Sequence, residues 1–166
     1  YPAMGRLLVE RGVRSVEEAE RFFHPRLEEL HDPFLMQDMQ AAVARLSLAL
    51  ERGDRILIYG DYDVDGTTAV ALLYRYLRAY CAPGQLRYHI PDRYDEGYGV
   101  TSARVAEAAE AGVQLIIAVD TGTKAVEEVA YARTLGIDFI ICDHHKPDET
   151  LPQAVALLNP KRADNT

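Results

Sequence analysis

Three aspartates at every second position, Asp61, Asp63 and Asp65, lie within Gly60-Asp61-Tyr62-Asp63-Val64-Asp65-Gly66, directly after the apolar run 56–59. Carboxylates this close repel one another at neutral pH, and burial strengthens the repulsion by lowering the dielectric. A cation among the oxygens resolves the conflict. Two more groups of this kind follow other apolar runs: Asp120 after 115–119, and Asp143-His144-His145 after 139–142. Carboxylates with one or two imidazoles suit Mn²⁺ or Mg²⁺ better than zinc, and a His ligand tilts the choice towards Mn²⁺. Asp120, arriving from a different strand, is placed to bridge two ions. Two ions about 3.5–4 Å apart activate a water and stabilise both attacking and leaving oxygens in phosphoester hydrolysis. Gly66 permits a tight turn, and Thr67 opens a predicted helix whose N-terminal amides suit phosphate.

Other chemistries fit less well. Asp-x-Asp-x-Asp-Gly also opens a calcium loop of the EF-hand type, but the twelfth position, which needs a bidentate Glu, is Leu72. That loop also needs a preceding helix, and 56–59 reads as strand. No Gly-Lys-Ser/Thr phosphate loop occurs. Taken alone, Asp120 reads equally well as a loop or helix-cap carboxylate, and His144-His145 as a solvated turn before Pro147. Together with the first motif they read as one metal site. His24 and His31, beside Pro25 and Pro33, read as solvated loop residues.

The elements that must position these groups follow from periodicity. The first fifty residues read as helical, with Ser15-Val16-Glu17-Glu18 as a capping box and Asp38 capping a helix that Gly53 ends. From Arg55 the pattern alternates: strands at 56–59, 86–90, 115–119, 139–142 and 154–158, with helices at 67–80, 101–111 and 125–135. This predicts an α/β fold, a parallel sheet flanked by helices, preceded by a short helical N-terminal segment. The domains expected are 1–53, helical, and 54–166, the sheet domain, incomplete at its C-terminus. Each acidic cluster then follows the carboxyl end of a strand, where open parallel sheets bind ligands. Three clusters dozens of residues apart thus converge at one edge.

With 166 residues and 48% hydrophobic content, the chain can bury one substantial core. Cys81 and Cys142 are too few for a disulfide framework or a thiolate zinc site, and read as reduced structural thiols of a cytoplasmic protein. No apolar run approaches the roughly 18–20 residues that span a bilayer, and no signal-peptide pattern opens the chain. Starting at Tyr1 and stopping in Lys161-Arg162-Ala163-Asp164-Asn165-Thr166, it reads as an excised piece of a longer protein. A net charge of −8 sits oddly with a nucleic-acid binder, yet two divalent cations offset about four charges.

The strings Ile58-Tyr59-Gly60-Asp61-Tyr62-Asp63-Val64-Asp65-Gly66-Thr67-Thr68-Ala69, Val119-Asp120-Thr121-Gly122 and Asp143-His144-His145 resemble the DHH phosphoesterase superfamily. Within it the chain is most similar to RecJ-type single-strand-specific exonucleases. The loop Pro91-Asp92-Arg93-Tyr94-Asp95-Glu96-Gly97-Tyr98-Gly99, the segment Asn159-Pro160-Lys161-Arg162 and the N-terminal Asp32-Pro33-Phe34-Leu35-Met36-Gln37-Asp38-Met39 carry the likeness across nearly the whole chain. The resemblance implies that Asp63 and Asp65 hold one metal each, that Asp120 bridges, and that His144 ligates the second ion. It implies that Asp61 supports the centre or touches an ion itself, and places His145 against the scissile phosphate. Similar enzymes cut single-stranded DNA from the 5′ end with Mg²⁺ or Mn²⁺, in repair and recombination. A single-strand binding protein or helicase partner is expected on the same ground.

Arg93, Tyr98 and Gly97 lie on a loop that reaches the same edge, where an Arg pairs with phosphate and a Tyr stacks on a base. The tyrosines there read equally well as loop packing. Lys124 is a weaker phosphate contact at a helix start. Two departures stand out. The family's further metal-binding aspartate and second domain lie beyond the end of this chain. Thr123-Lys124 follows the second motif where relatives often carry an apolar residue first. Two rival readings remain: a phosphodiesterase on the same scaffold acting on short oligonucleotides or cyclic dinucleotides, and a non-cutting relative that binds nucleic acid or a partner. Superfamily pyrophosphatases begin the first motif with a histidine, and Gly60-Asp61 argues against them.

Overall fold

The structure, a computed structural model, describes residues 1–165 and divides into two units, Tyr1–Asp32 and Pro33–Thr166. The first unit holds α1 (Pro2–Glu10) and α2 (Val16–Phe23). The predicted capping box forms: the Ser15 hydroxyl accepts from Glu18 N at 3.1 Å, and the Glu18 carboxylate accepts from Ser15 N at 3.1 Å. Neither helix buries a residue.

The second unit runs α3 (Met39–Arg52), β1 (Arg55–Tyr59), α4 (Val64–Leu77), β2 (Leu86–His89), α5 (Ser102–Glu110), β3 (Val113–Val119), α6 (Val126–Thr134), β4 (Asp138–Cys142) and β5 (Ala156–Leu158). All strands pair parallel, in the order β2-β1-β3-β4-β5. Parallel strands need crossovers that put helices on the faces, so the strands are buried on both sides and read as near-continuous apolar runs. In β3, Leu115, Ile117 and Val119 join one core with Ala42 and Ala49 of α3 and Val70 and Leu77 of α4. Ile116 and Ala118 join the opposite core with Val105 and Ala108 of α5 and Val129 and Ala132 of α6. This period of two fixes the register, because a one-residue slip would exchange the two cores. Each fully buried Ile or Leu contributes about 1.5–3 kcal/mol.

Two expectations change here. The helix 39–52, read as part of the N-terminal segment, lies within the second unit, because its alanines close the core over Ile56, Ile58 and Ile140. Asp38 precedes that helix but does not cap it with its side chain. Its carboxylate accepts instead from Leu157 N at 3.1 Å and pairs with Arg162, fastening α3 to the outer strand β5. The strand order reverses between β1 and β3: the first crossover leaves β1 towards β2, the second returns past β1 to β3, and the rest build outward from β3. The crevice at such a reversal is where doubly wound sheets bind ligands.

Candidate metal centre

Backbone pairing runs past the strand ends and sets the floor of the crevice. Gly60 N donates to His89 O, Asp120 N to Cys142 O at 2.9 Å, and Asp143 N to Leu158 O. Asp120 takes a left-handed φ of 60°. Asp is among the few side chains that tolerate this conformation, and such residues cluster at functional sites.

The first motif divides between loop and helix. Thr67 was expected to open the helix, but α4 begins at Val64 with Asp63 as its cap. Asp63 Oδ1 accepts from Asp65 N at 2.9 Å and Gly66 N at 3.0 Å, satisfying two of the unpaired amides of a helix start. These amides hold Asp63 below the ordinary carboxylate range. The helix can start this early because Gly66 lies against the loop: a Cβ there would meet Asp61 backbone atoms at 2.5–2.7 Å. On the other side Gly122, at φ 104°, crosses Ala118 and Ile141, which a Cβ would meet at 3.2 and 3.3 Å.

Two groups of donor atoms result, each with its members within 4.8 Å of one another. One is Asp61, Asp63 and Asp120; the other is Asp120, His144 and His145. Asp120 belongs to both. Its Oδ1 lies 3.0 Å from His144 Nε2, while its buried Oδ2 has no hydrogen-bond partner among the described residues. Burial, and then the Asp63 charge, raise its pKa. A buried carboxylate oxygen with nothing to accept from, facing a second carboxylate, fits a divalent cation. Asp65 stands apart from both groups. It lies in the first turn of α4, exposed, and lines a cavity with Asp120, His144, Met36 and Met39.

Asp143 is not a free donor. It is buried, its Oδ2 accepts from Thr123 N at 3.0 Å, and its Oδ1 accepts from His144 N, His145 N and His145 Nδ1, the last at 2.7 Å. Burial pushes its pKa up, but the hydrogen bonds from Thr123 and His145 outweigh it and the net shift is downward. With Nδ1–H committed to Asp143, the His145 ring keeps Nε2 for the crevice. Asn159 locks the same corner, donating to Thr123 Oγ1 and His145 O, both at 2.8 Å. Sequence reading grouped Asp143 with the two histidines but gave it no role of its own, and quoted Thr123 and Asn159 only as parts of motif strings. The hydrogen bonds that join these three residues to one another and to His145 O span 14–36 residues.

The loop 91–99 reaches the crevice as expected. The Arg93 guanidinium lies 4.5 Å from the centre of the Tyr62 ring. Tyr98 sets its edge against Tyr62 and places its hydroxyl 3.3 Å from His145. Burial, and the Asp143 charge, push the Tyr98 phenol up to about 12. Gly97 shapes the loop at φ 78°, its N donating to Asp92 O. Lys124 lines a second cavity, of about 510 Å³, with Tyr98, Thr123 and His145, but its ammonium lies 3.1 Å from Asp148.

Residues 55–166 match the model of the DHH family, N-terminal domain. The chain is 41% identical over 161 residues to the single-stranded-DNA-specific exonuclease RecJ of Bacillus subtilis, covering 97% of this chain and 20% of that protein. It is 38% identical over 163 residues to the Escherichia coli protein of the same name, covering 98% and 27%. A crystal structure of exonuclease RecJ bound to manganese matches with a TM-score of 0.73 and 34% identity, over 82% of this chain and 34% of that one. RecJ of Thermus thermophilus in complex with Mn²⁺ matches with a TM-score of 0.72 and 29% identity, over 96% and 21%. The chain thus spans about a fifth to a quarter of the length of these curated relatives. With its aspartates and Asp-His-His corner gathered at one crevice, the chain belongs to the DHH family.

Proposed function

We propose that this chain forms the metal-holding part of an exonuclease that hydrolyses single-stranded DNA from its 5′ end with Mn²⁺ or Mg²⁺, by a two-metal mechanism. The observation that carries the proposal is the pair of donor groups sharing the half-satisfied Asp120. Asp61, Asp63, Asp120 and His144 are the residues that would hold the ions, with Asp65 at the rim of the same crevice as a further ligand. Bound divalent ions supply Lewis acidity at the phosphate and a hydroxide at neutral pH.

This chain's own groups supply the rest. Asp143 holds the His145 ring so that Nε2 addresses the scissile phosphate, where it stabilises charge or protonates the leaving oxygen. Arg93 pairs with a phosphate, and Tyr98 and Tyr62 offer faces to unstacked bases, which a duplex does not present. Lys124 adds weaker attraction at the cavity edge. Single-strand binding protein or helicase partners, and action in the cytoplasm, belong to the same reading.

The test is mononucleotide release by a full-length protein carrying this chain, from single-stranded DNA labelled in turn at each end. Reactions contain Mn²⁺, Mg²⁺ or a chelator, beside an Asp120→Asn control. Metal-dependent release from the 5′ end, lost in the variant, is expected. No release despite measured metal binding would move the reading to a small-nucleotide phosphodiesterase.

A further inference from the structure

The loop that brings Arg93 and Tyr98 to the crevice is fastened from behind by one carboxylate. Glu96 Oε1 accepts from Asp92 N at 3.0 Å, closing the loop on its own first residues. Glu96 Oε2 lies 3.0 Å from His89 Nε2, at the end of β2, and accepts from Arg104 Nε of α5 at 2.6 Å. One side chain therefore joins a strand, the loop and the following helix. The loop's far end is held separately, by Tyr59 Oη donating to Gly99 O at 3.0 Å. Gly97, between these anchors, and Gly99, at the second, are both at positive φ, residues that leave a free loop many conformations to lose. Neither the Glu96 carboxylate nor its partners His89 and Arg104 belong to the metal-donor groups.

Resting on the exonuclease reading above, we infer that Glu96 is a positioning residue: clasped by His89 and Arg104, it sets the loop so that Arg93 and Tyr98 meet the DNA strand at the metal centre. The clasp and the substrate groups have different partners: Glu96 meets His89 and Arg104, whereas Arg93 covers Tyr62 and Tyr98 reaches His145. Its contribution is made before the strand arrives, by removing loop conformers in which those side chains point elsewhere. Loosening it raises the cost of binding DNA and leaves the reaction at the ions unchanged.

Glu96→Gln keeps the acceptor for Asp92 N and removes the charge shared with His89 and Arg104. Arg104→Gln opens the clasp from the helix side, at a residue whose side chain is one-third exposed. In the full-length protein with Mn²⁺, each variant is assayed on single-stranded DNA and on bis(p-nitrophenyl) phosphate, a phosphodiester too small to need the loop. The expected result is a KM for DNA raised about tenfold, with kcat and the small-ester rate within about twofold. The double variant should be no worse than either single one, since both open the same clasp. Unchanged KM for DNA in both variants, with wild-type cleavage intact, overturns the positioning role. Equal losses on both substrates also overturn it, because the clasp would then be supporting the centre itself. Wild-type protein that cleaves only the small ester defeats the exonuclease reading first, and this inference with it.

Discussion

Asp63 divides its carboxylate between two tasks. Oδ1 is committed to the amides of Asp65 and Gly66, leaving the other oxygen for a cation. Substituting it therefore damages a helix start as well as a ligand. Asp120 offers a cleaner experiment: Asn tolerates its left-handed backbone, so Asp120→Asn should keep the fold while abolishing Mn²⁺-dependent cleavage. Circular dichroism and end-labelled DNA measure the two effects separately. Asp143→Asn should act less directly. An amide facing donors from Thr123 or His145 leaves them unsatisfied, and activity should fall by about 10–100-fold through misplaced histidines. Gly66→Ala places a methyl against the Asp61 backbone and should cost about 1–3 kcal/mol by urea denaturation, with weakened metal binding.

Among the elements, the loop 91–99 carries the clearest dependence on pH. Arg104 holds Glu96 down to about 2, against the opposing effect of burial and with help from Asp92 N and His89. The folded value is depressed, so the stabilisation is fully present above the usual Glu pKa of about 4.5 and is lost as pH falls from there towards 2. Hydrogen exchange at the Glu96 and Gly97 amides should stay slow above pH 5. It should accelerate relative to a reference amide in α4 as pH drops through that window, and Glu96→Gln should remove the difference. Element positions were legible in the chain because apolar period and capping residues are local signals. The start of α4 was not, because Thr67 resembles a helix start, whereas the true start depends on Gly66 packing against Asp61. The role of Asp38 was hidden for the same reason: its partners Leu157 and Arg162 lie more than a hundred residues away.

For the whole molecule, the convergence of the three motifs could be read in advance, since strand–helix alternation forces a parallel sheet and places strand ends together. The extent of the folding unit could not, because α3 looks like its helical neighbours and only the core shows that it belongs to the sheet. A protein lacking 1–32 should retain one cooperative urea transition for the remainder. One beginning at 54 should lose it, because the core covered by Ala42, Leu46, Ala49 and Leu50 would lie open.

The corner built by Asp143, Thr123 and Asn159 closes with hydrogen bonds wholly internal to the protein. The capped start of α4 is likewise complete in itself. Zinc fingers, by contrast, borrow their fold from the ion they bind. Here a chelator should silence cleavage while shifting the melting temperature by only a few degrees, and added Mn²⁺ should restore the rate without a refolding lag. Such a centre behaves as a socket rather than a keystone. Its occupancy follows the supply of ions around it, so changing divalent-ion levels would set the output of the proposed nuclease without any change in the amount of folded protein.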